Sequence, residues 1–175
     1  MASSKEKELG PIFRAYGAAC YSAQNLESTL RFLLVLYAAH EKKRFTPDVI
    51  RLVESETATS TLRDLFEKAR QREYFTDIEA RVVLNAIKQR NLLIHNYWDK
   101  QVFLLANKKG RGQVKDDLYR IRDYLVKANA IVISLNDHYL KQYSIGAESL
   151  NTEGLKKRAD EAWQNDNDEP PEVSE

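Results

Sequence analysis

Two stretches of the chain carry apolar side chains every three or four residues without a break, and they leave little choice of fold class. In the first these are Ile12, Tyr16, Ala19, Ala23, Leu26, Leu30, Leu33, Leu34 and Tyr37. In the second they are Val114, Leu118, Ile121, Leu125, Ala128, Val132, Leu135 and Tyr139. That spacing lays one apolar stripe along an α-helix, and it predicts long helices over residues 12–43 and 113–143. No segment shows sustained period-two alternation. With 6 Gly and 4 Pro in 175 residues, few positions break a helix.

The punctuation between the long stripes predicts shorter helices. Gly10-Pro11 suits a helix start. Thr46-Pro47-Asp48 is a fresh one, with Val49, Ile50, Leu52 and Val53 as its apolar face. The polar run ETATST reads as a connection. Ser60 or a neighbouring Thr then caps a helix with Leu62, Leu65, Phe66 and Ala69 inward. Thr76 followed by Glu79 is a capping-box pattern, opening DIEARVVLNAIKQRNLLIHNYW. Asn107 to Gly112, NKKGRG, reads as a basic loop, and a short helix is expected over residues 152–163. The fold expected is all-α, an up-and-down bundle of four main helices plus short ones. It comprises an N-terminal tail over 1–10, a helical body over 11–164 and an acidic, disordered tail over 165–175.

Composition narrows the function classes. One cysteine, Cys20, forbids an internal disulfide, and its neighbours Ala19 and Tyr21 suggest a buried structural thiol. Three scattered histidines beside it give no metal-ligand spacing, which favours chemistry without metal or other cofactor. No glycine motif supports a P-loop, kinase or dinucleotide reading. The start MASSKEKELGP lacks the apolar core of a signal peptide, and the apolar run FLLVLYAA is too short to span a bilayer. A cytoplasmic protein with no membrane role is expected. The net charge of +1 hides an asymmetry, because the final NDNDEPPEVSE carries five acids and no base. Taking those five from the 26 acids leaves 27 bases against 21, a body of +6. Such a surface assists an encounter with RNA. The tail then reads either as a solubilising terminus or as a shield over a basic groove.

One residue breaks the apolar logic of its helix. With Val83 at zero and about 100° per residue, Val82, Ala86, Ile87, Leu93 and Ile94 share one arc. Arg90 falls about 20° from zero, in the middle of that arc, where packing alone would place a leucine. A guanidinium there needs a carboxylate, an anion, or a groove opening at its level. Glu27, alone among the apolar turns of the first helix, is the candidate partner. Asn91 lies about 80° round and His95 about 120°. Leu84 and Leu92 sit on that flank, outside the core arc. They pack either under a neighbouring helix or along a dimer seam that brings two copies of Arg90 and His95 together.

Arg90, Asn91, His95 and Tyr97 spell R-N-x-x-x-H-x-Y on a helix late in a small helical bundle. The pattern resembles the HEPN superfamily (higher eukaryotes and prokaryotes nucleotide-binding domains). It looks most like the ribonuclease toxins paired with minimal nucleotidyltransferase antitoxins. The chain is longer than typical members of that group, with an extra helix and the acidic tail. The resemblance implies metal-independent RNA cleavage. The 2′-hydroxyl attacks the adjacent phosphorus, leaving a 2′,3′-cyclic phosphate and a 5′-hydroxyl. A toxin–antitoxin or antiviral defence setting and a homodimer are implied with it.

The residue types suit that reaction. Imidazole takes or gives a proton near neutrality, so His95 is the candidate acid or base. Arg90 offers a planar fork to phosphate oxygens and stabilises the charge of the transition state. Asn91 orients His95 or bonds phosphate. Tyr97 reads as core aromatic or RNA contact, and the resemblance implies a second role as acceptor of AMP from the partner enzyme. Lys108, Lys109 and Arg111 read as a solvated turn or as a phosphate-tracking edge, able to close over RNA on two mobile glycines. Two other classes stay open: a HEPN module that binds nucleotide or RNA without cutting, and a helical scaffold that docks a partner through Leu84 and Leu92.

Overall fold

A computed structural model describes residues 4–42, 45–72 and 75–142. The chain divides into two compact units, Met1–Tyr139 and Leu140–Glu175, and the description concerns the first except for the end of the last helix. The short helix expected at 152–163 and the acidic tail lie outside the described residues.

Among the described residues the protein is all-α. The helices are α1 (Ser4–Glu41), α2 (Pro47–Thr57), α3 (Leu62–Arg70), α4 (Asp77–Asn91), α5 (Tyr97–Gln101) and α6 (Lys108–Gln142). A π turn, Leu92–Asn96, joins α4 to α5, and a 3-10 turn, Val102–Ala106, leads to α6. None of these helices is long and apolar enough to cross a membrane.

The core follows the two stripes. Ile12, Ala15, Ala19, Ala23, Leu26, Leu30 and Leu33 are buried along α1, and Val114, Leu118, Ile121, Leu125, Ala128 and Val132 along α6. Each leucine so buried contributes about 1.5–3 kcal/mol over its exposed state. Leu62, Leu65, Phe66 and Ala69 close the cluster from α3, and Val83, Ala86 and Ile87 from α4. Between α1 and α6, Asn136 Nδ2 donates to the Thr29 carbonyl at 3.2 Å and Thr29 Oγ1 to Asn129 Oδ1 at 2.6 Å.

Local chemistry sets the ends of the short helices. Thr61, rather than Ser60, caps α3: its Oγ1 accepts from the Asp64 N–H at 3.2 Å, and Asp64 Oδ2 accepts from the Thr61 N–H at 2.9 Å. Thr76 and Glu79 repeat the box on α4, at 3.3 and 2.9 Å. Each box satisfies two backbone donors that a helix start leaves open.

Two boundaries differ from expectation. Helix α1 starts at Ser4, so Gly10-Pro11 lies inside it. Pro11, seven residues past that start, has no N–H to give the residue-7 carbonyl, so α1 forgoes one i→i−4 hydrogen bond there. The supposed basic loop NKKGRG is the start of α6. Asn107 supplies the cap, its Oδ1 accepting from the Gly110 N–H at 2.8 Å. Gly110 is buried, and a Cβ there would stand 2.1 Å from the Leu104 carbonyl oxygen. That glycine serves close backbone approach, and with Gly112 it belongs to regular helix rather than to a mobile flap.

Candidate functional site

Capping at Thr76 fixes where α4 begins, and burial of Val83, Ala86 and Ile87 fixes which way it faces. Arg90 then emerges on the side towards α1. Its side chain is three-quarters covered, at 25% exposure, and Nη2 stands 3.6 Å from Glu27 Oε2. Glu27 also holds Arg31, one turn along α1, with Nη2 to Oε1 at 3.1 Å. Arg31 continues to α2, donating from Nη1 to the Thr57 carbonyl at 2.6 Å. One carboxylate thus serves two guanidiniums, which leaves an excess positive charge.

That charge stands on the wall of an open groove of about 580 Å³, bordered by Cys20, Gln24, Glu27, Arg31, Arg90 and Ile94 among others. Ile94, expected in the core, is 42% exposed. It sits about one turn beyond Arg90, at the level where the bundle opens. Cys20 is half-buried on the same wall rather than sealed in the core. Burial pushes its thiol pKa up, with a small opposing effect from the Tyr16 hydroxyl, which works against a reactive thiolate.

The π turn decides the placement of the rest of the motif. Such a turn closes i→i+5 hydrogen bonds. It therefore holds more residues than the 3.6 of an α turn, and each advances less than about 100°. The even phase of a regular helix therefore does not carry from Arg90 through to His95. His95 is exposed, on the π turn, and does not border the groove. Asn91 is exposed and accepts a hydrogen bond from Arg90 Nη1 at 3.2 Å. The Tyr16 hydroxyl of α1 donates a long bond, 3.4 Å, to the Leu93 carbonyl within the π turn. Glu27, Arg90 and Asn91 are therefore brought together, with His95 close in sequence but outside the groove lining.

Tyr97 goes elsewhere. It is 1% exposed, and its hydroxyl donates to the Val114 carbonyl of α6 at 3.1 Å. Burial first, and the Asp117 carboxylate second, hold that hydroxyl well above the usual tyrosine range. Its ring packs 5.3 Å from Trp98, which lies 5.1 Å from Tyr16 and 6.0 Å from Phe13. A hydroxyl so enclosed offers no surface to RNA or to an incoming nucleotidyl group in this conformation.

The basic residues of α6 divide. Lys108 and Lys109 are exposed in its first turn. Arg111 is engaged internally, donating to the Leu105 carbonyl at 2.9 Å and pairing with Glu8 of α1. Leu84 is half-buried against the core cluster, and Leu92 is half-buried on the π turn. Sequence reasoning missed Arg31. Its spacing of i, i+4 from Glu27 was the available signal, but only the tertiary register shows that Arg90 shares the same carboxylate.

Compared with known proteins, the chain matches no family model, no curated protein and no solved structure.

Proposed function

We propose that the protein is a HEPN-type endoribonuclease that cleaves RNA without a metal, leaving 2′,3′-cyclic phosphate and 5′-hydroxyl ends. The observation that carries the reading is the shared carboxylate. Glu27 lies between Arg31 and Arg90 on the wall of an open groove, so the three groups carry a net positive charge that draws a second anion. A phosphodiester is such an anion, and arginine forks match its oxygens. His95, exposed on the π turn, supplies the proton transfers once RNA follows the surface out of the groove. Asn91 steadies the Arg90 guanidinium.

The four-helix up-and-down arrangement with short additional helices belongs to the same proposal. So do a homodimer through Leu84 and Leu92, a nucleotidyltransferase antitoxin and a toxin or defence role in the cytoplasm. Lys108 and Lys109 are the flanking phosphate contacts. Tyr97 is assigned structural work because it is 1% exposed, and Arg111 because it ties the turn before α6 to α1 through the Leu105 carbonyl and Glu8.

A second reading is a nucleotide- or RNA-binding module without catalysis. The position of His95 outside the groove lining favours it. Expression in cells separates the two. The catalytic reading predicts strong growth inhibition that His95→Ala relieves, with RNA binding retained by the variant. Equal growth with both forms, and equal RNA binding, would establish the binding module.

A further inference from the structure

The charged groove does not end at Arg31. A second depression, about 260 Å³, lies between α1 and α2, and it shares Ser28 and Arg31 with the first. Its character is different. Phe32 and Val35 of α1 and Ile50 and Val53 of α2 make an apolar wall, and Glu54, exposed, stands at the rim. Arg31 is the partition: one side of its guanidinium meets Glu27 in the groove, and the other reaches the Thr57 carbonyl at the end of α2.

One continuous surface therefore offers excess positive charge, then an aromatic and aliphatic wall, then a carboxylate acceptor. A nucleotide presents the complement: a phosphate, a flat ring with apolar faces, and amino donors on the ring edge. Bases bound outside a duplex are held by ring contacts and edge hydrogen bonds. A carboxylate selects edges that donate, as the amino group of cytosine does, and disfavours the carbonyl that uracil carries at the same position.

We propose that the α1–α2 depression is a base-binding subsite. It takes the base of the nucleotide whose phosphate lies in the groove against Arg31 and Arg90, beside Glu27, with Phe32 and Val53 as walls and Glu54 as acceptor for an amino-bearing base. The inference rests on the reading of the Arg31–Arg90 groove as a phosphate site, and it adds the specificity which that reading lacks.

The test is a titration of the full chain followed by backbone amide NMR, with inorganic phosphate, cytidine 5′-monophosphate and uridine 5′-monophosphate. Phosphate alone should move signals near Arg31 and Arg90 only. The cytidine nucleotide should also move those of Phe32, Ile50 and Val53, and bind about fivefold or more tightly than the uridine nucleotide. Glu54→Gln, at an exposed position, should abolish that preference and leave phosphate affinity unchanged. Phe32→Ala should reduce both nucleotides to the affinity of phosphate. Equal binding of the two nucleotides by the wild type, or unmoved signals at Ile50 and Val53, would overturn the subsite while leaving the phosphate groove intact. Unmoved signals at Arg90 with every probe would overturn the phosphate groove itself, and the subsite with it.

Discussion

Arg90 Nη2 stands 3.6 Å from Glu27 Oε2, while the other oxygen of that carboxylate is taken by Arg31 at 3.1 Å. The carboxylate makes the arginine tolerable in an apolar stripe, and it does so incompletely. At 31% exposure for Glu27 and 25% for Arg90, solvent screens the pair, so its contribution to stability is small.

Glu27→Gln should therefore change the groove more than the fold. Denaturant unfolding should show a loss within about 1 kcal/mol. Inorganic phosphate should bind several-fold more tightly, and its affinity should fall more steeply with salt, because two guanidiniums then face the groove unneutralised. Weaker phosphate binding in the variant would mean that Glu27 orients the arginines rather than competing for them.

Tyr97→Phe removes a buried hydrogen bond to Val114 and nothing on the surface. The expected cost is about 1 kcal/mol, or about 2–4 °C in Tm for a chain of this size. RNA cleavage at a temperature where the variant is folded should be unchanged. The tyrosine also gives stability a pH dependence. Its folded pKa lies above that of an unfolded tyrosine, about 10. The unfolded chain therefore releases the proton first, and this contribution is present below about pH 10 and lost as pH rises beyond it. Unfolding measured at rising alkaline pH should show a steeper loss in the wild type than in Tyr97→Phe.

The two glycines of α6 should respond oppositely to alanine. At Gly110 the new Cβ would meet Leu104 backbone atoms at 2.1, 2.8 and 2.9 Å, none of which can swing aside. A loss of about 3 kcal/mol or more is expected. At Gly112 nothing lies within 4 Å, so alanine should stabilise the helix by up to about 1 kcal/mol. Thermal unfolding of both variants checks the contrast, and equal effects would contradict the close approach of the turn before α6.

These positions show which parts of the molecule a sequence displays. The stripes of α1 and α6, the box at Thr76 and a cap near Ser60 are periodic or local, so they were legible from neighbours a few residues apart, while the Thr61–Asp64 box was read only from the structure. The start of α6 was not, because Lys108, Lys109, Gly110 and Arg111 have loop composition. Only the nearby Leu104 carbonyl shows why Gly110 is there. The π turn was invisible for another reason. Its segment has ordinary helical composition, and an i→i+5 turn leaves no periodic trace within five residues. The regular helical phase therefore fails for His95, and Tyr97 lies in the core. At the candidate site, the oddity of Arg90 could be read from helical phase, and Glu27 as its partner from its being alone among the apolar turns of the first helix. Arg31 and the adjoining apolar depression depend on how α1, α2 and α4 meet.

If Arg90 holds a phosphate for His95, both side chains are required to cut RNA. The most direct measurement is RNA cleavage by purified protein in excess EDTA, with wild type beside His95→Ala and Arg90→Gln, and the product ends identified. Expected are 2′,3′-cyclic phosphate and 5′-hydroxyl ends from the wild type, no cleavage by either variant, and RNA binding weakened in Arg90→Gln alone. No cleavage by the wild type, with binding the same in all three proteins, would contradict that role and leave Arg90 as an ion pair that serves only the fold.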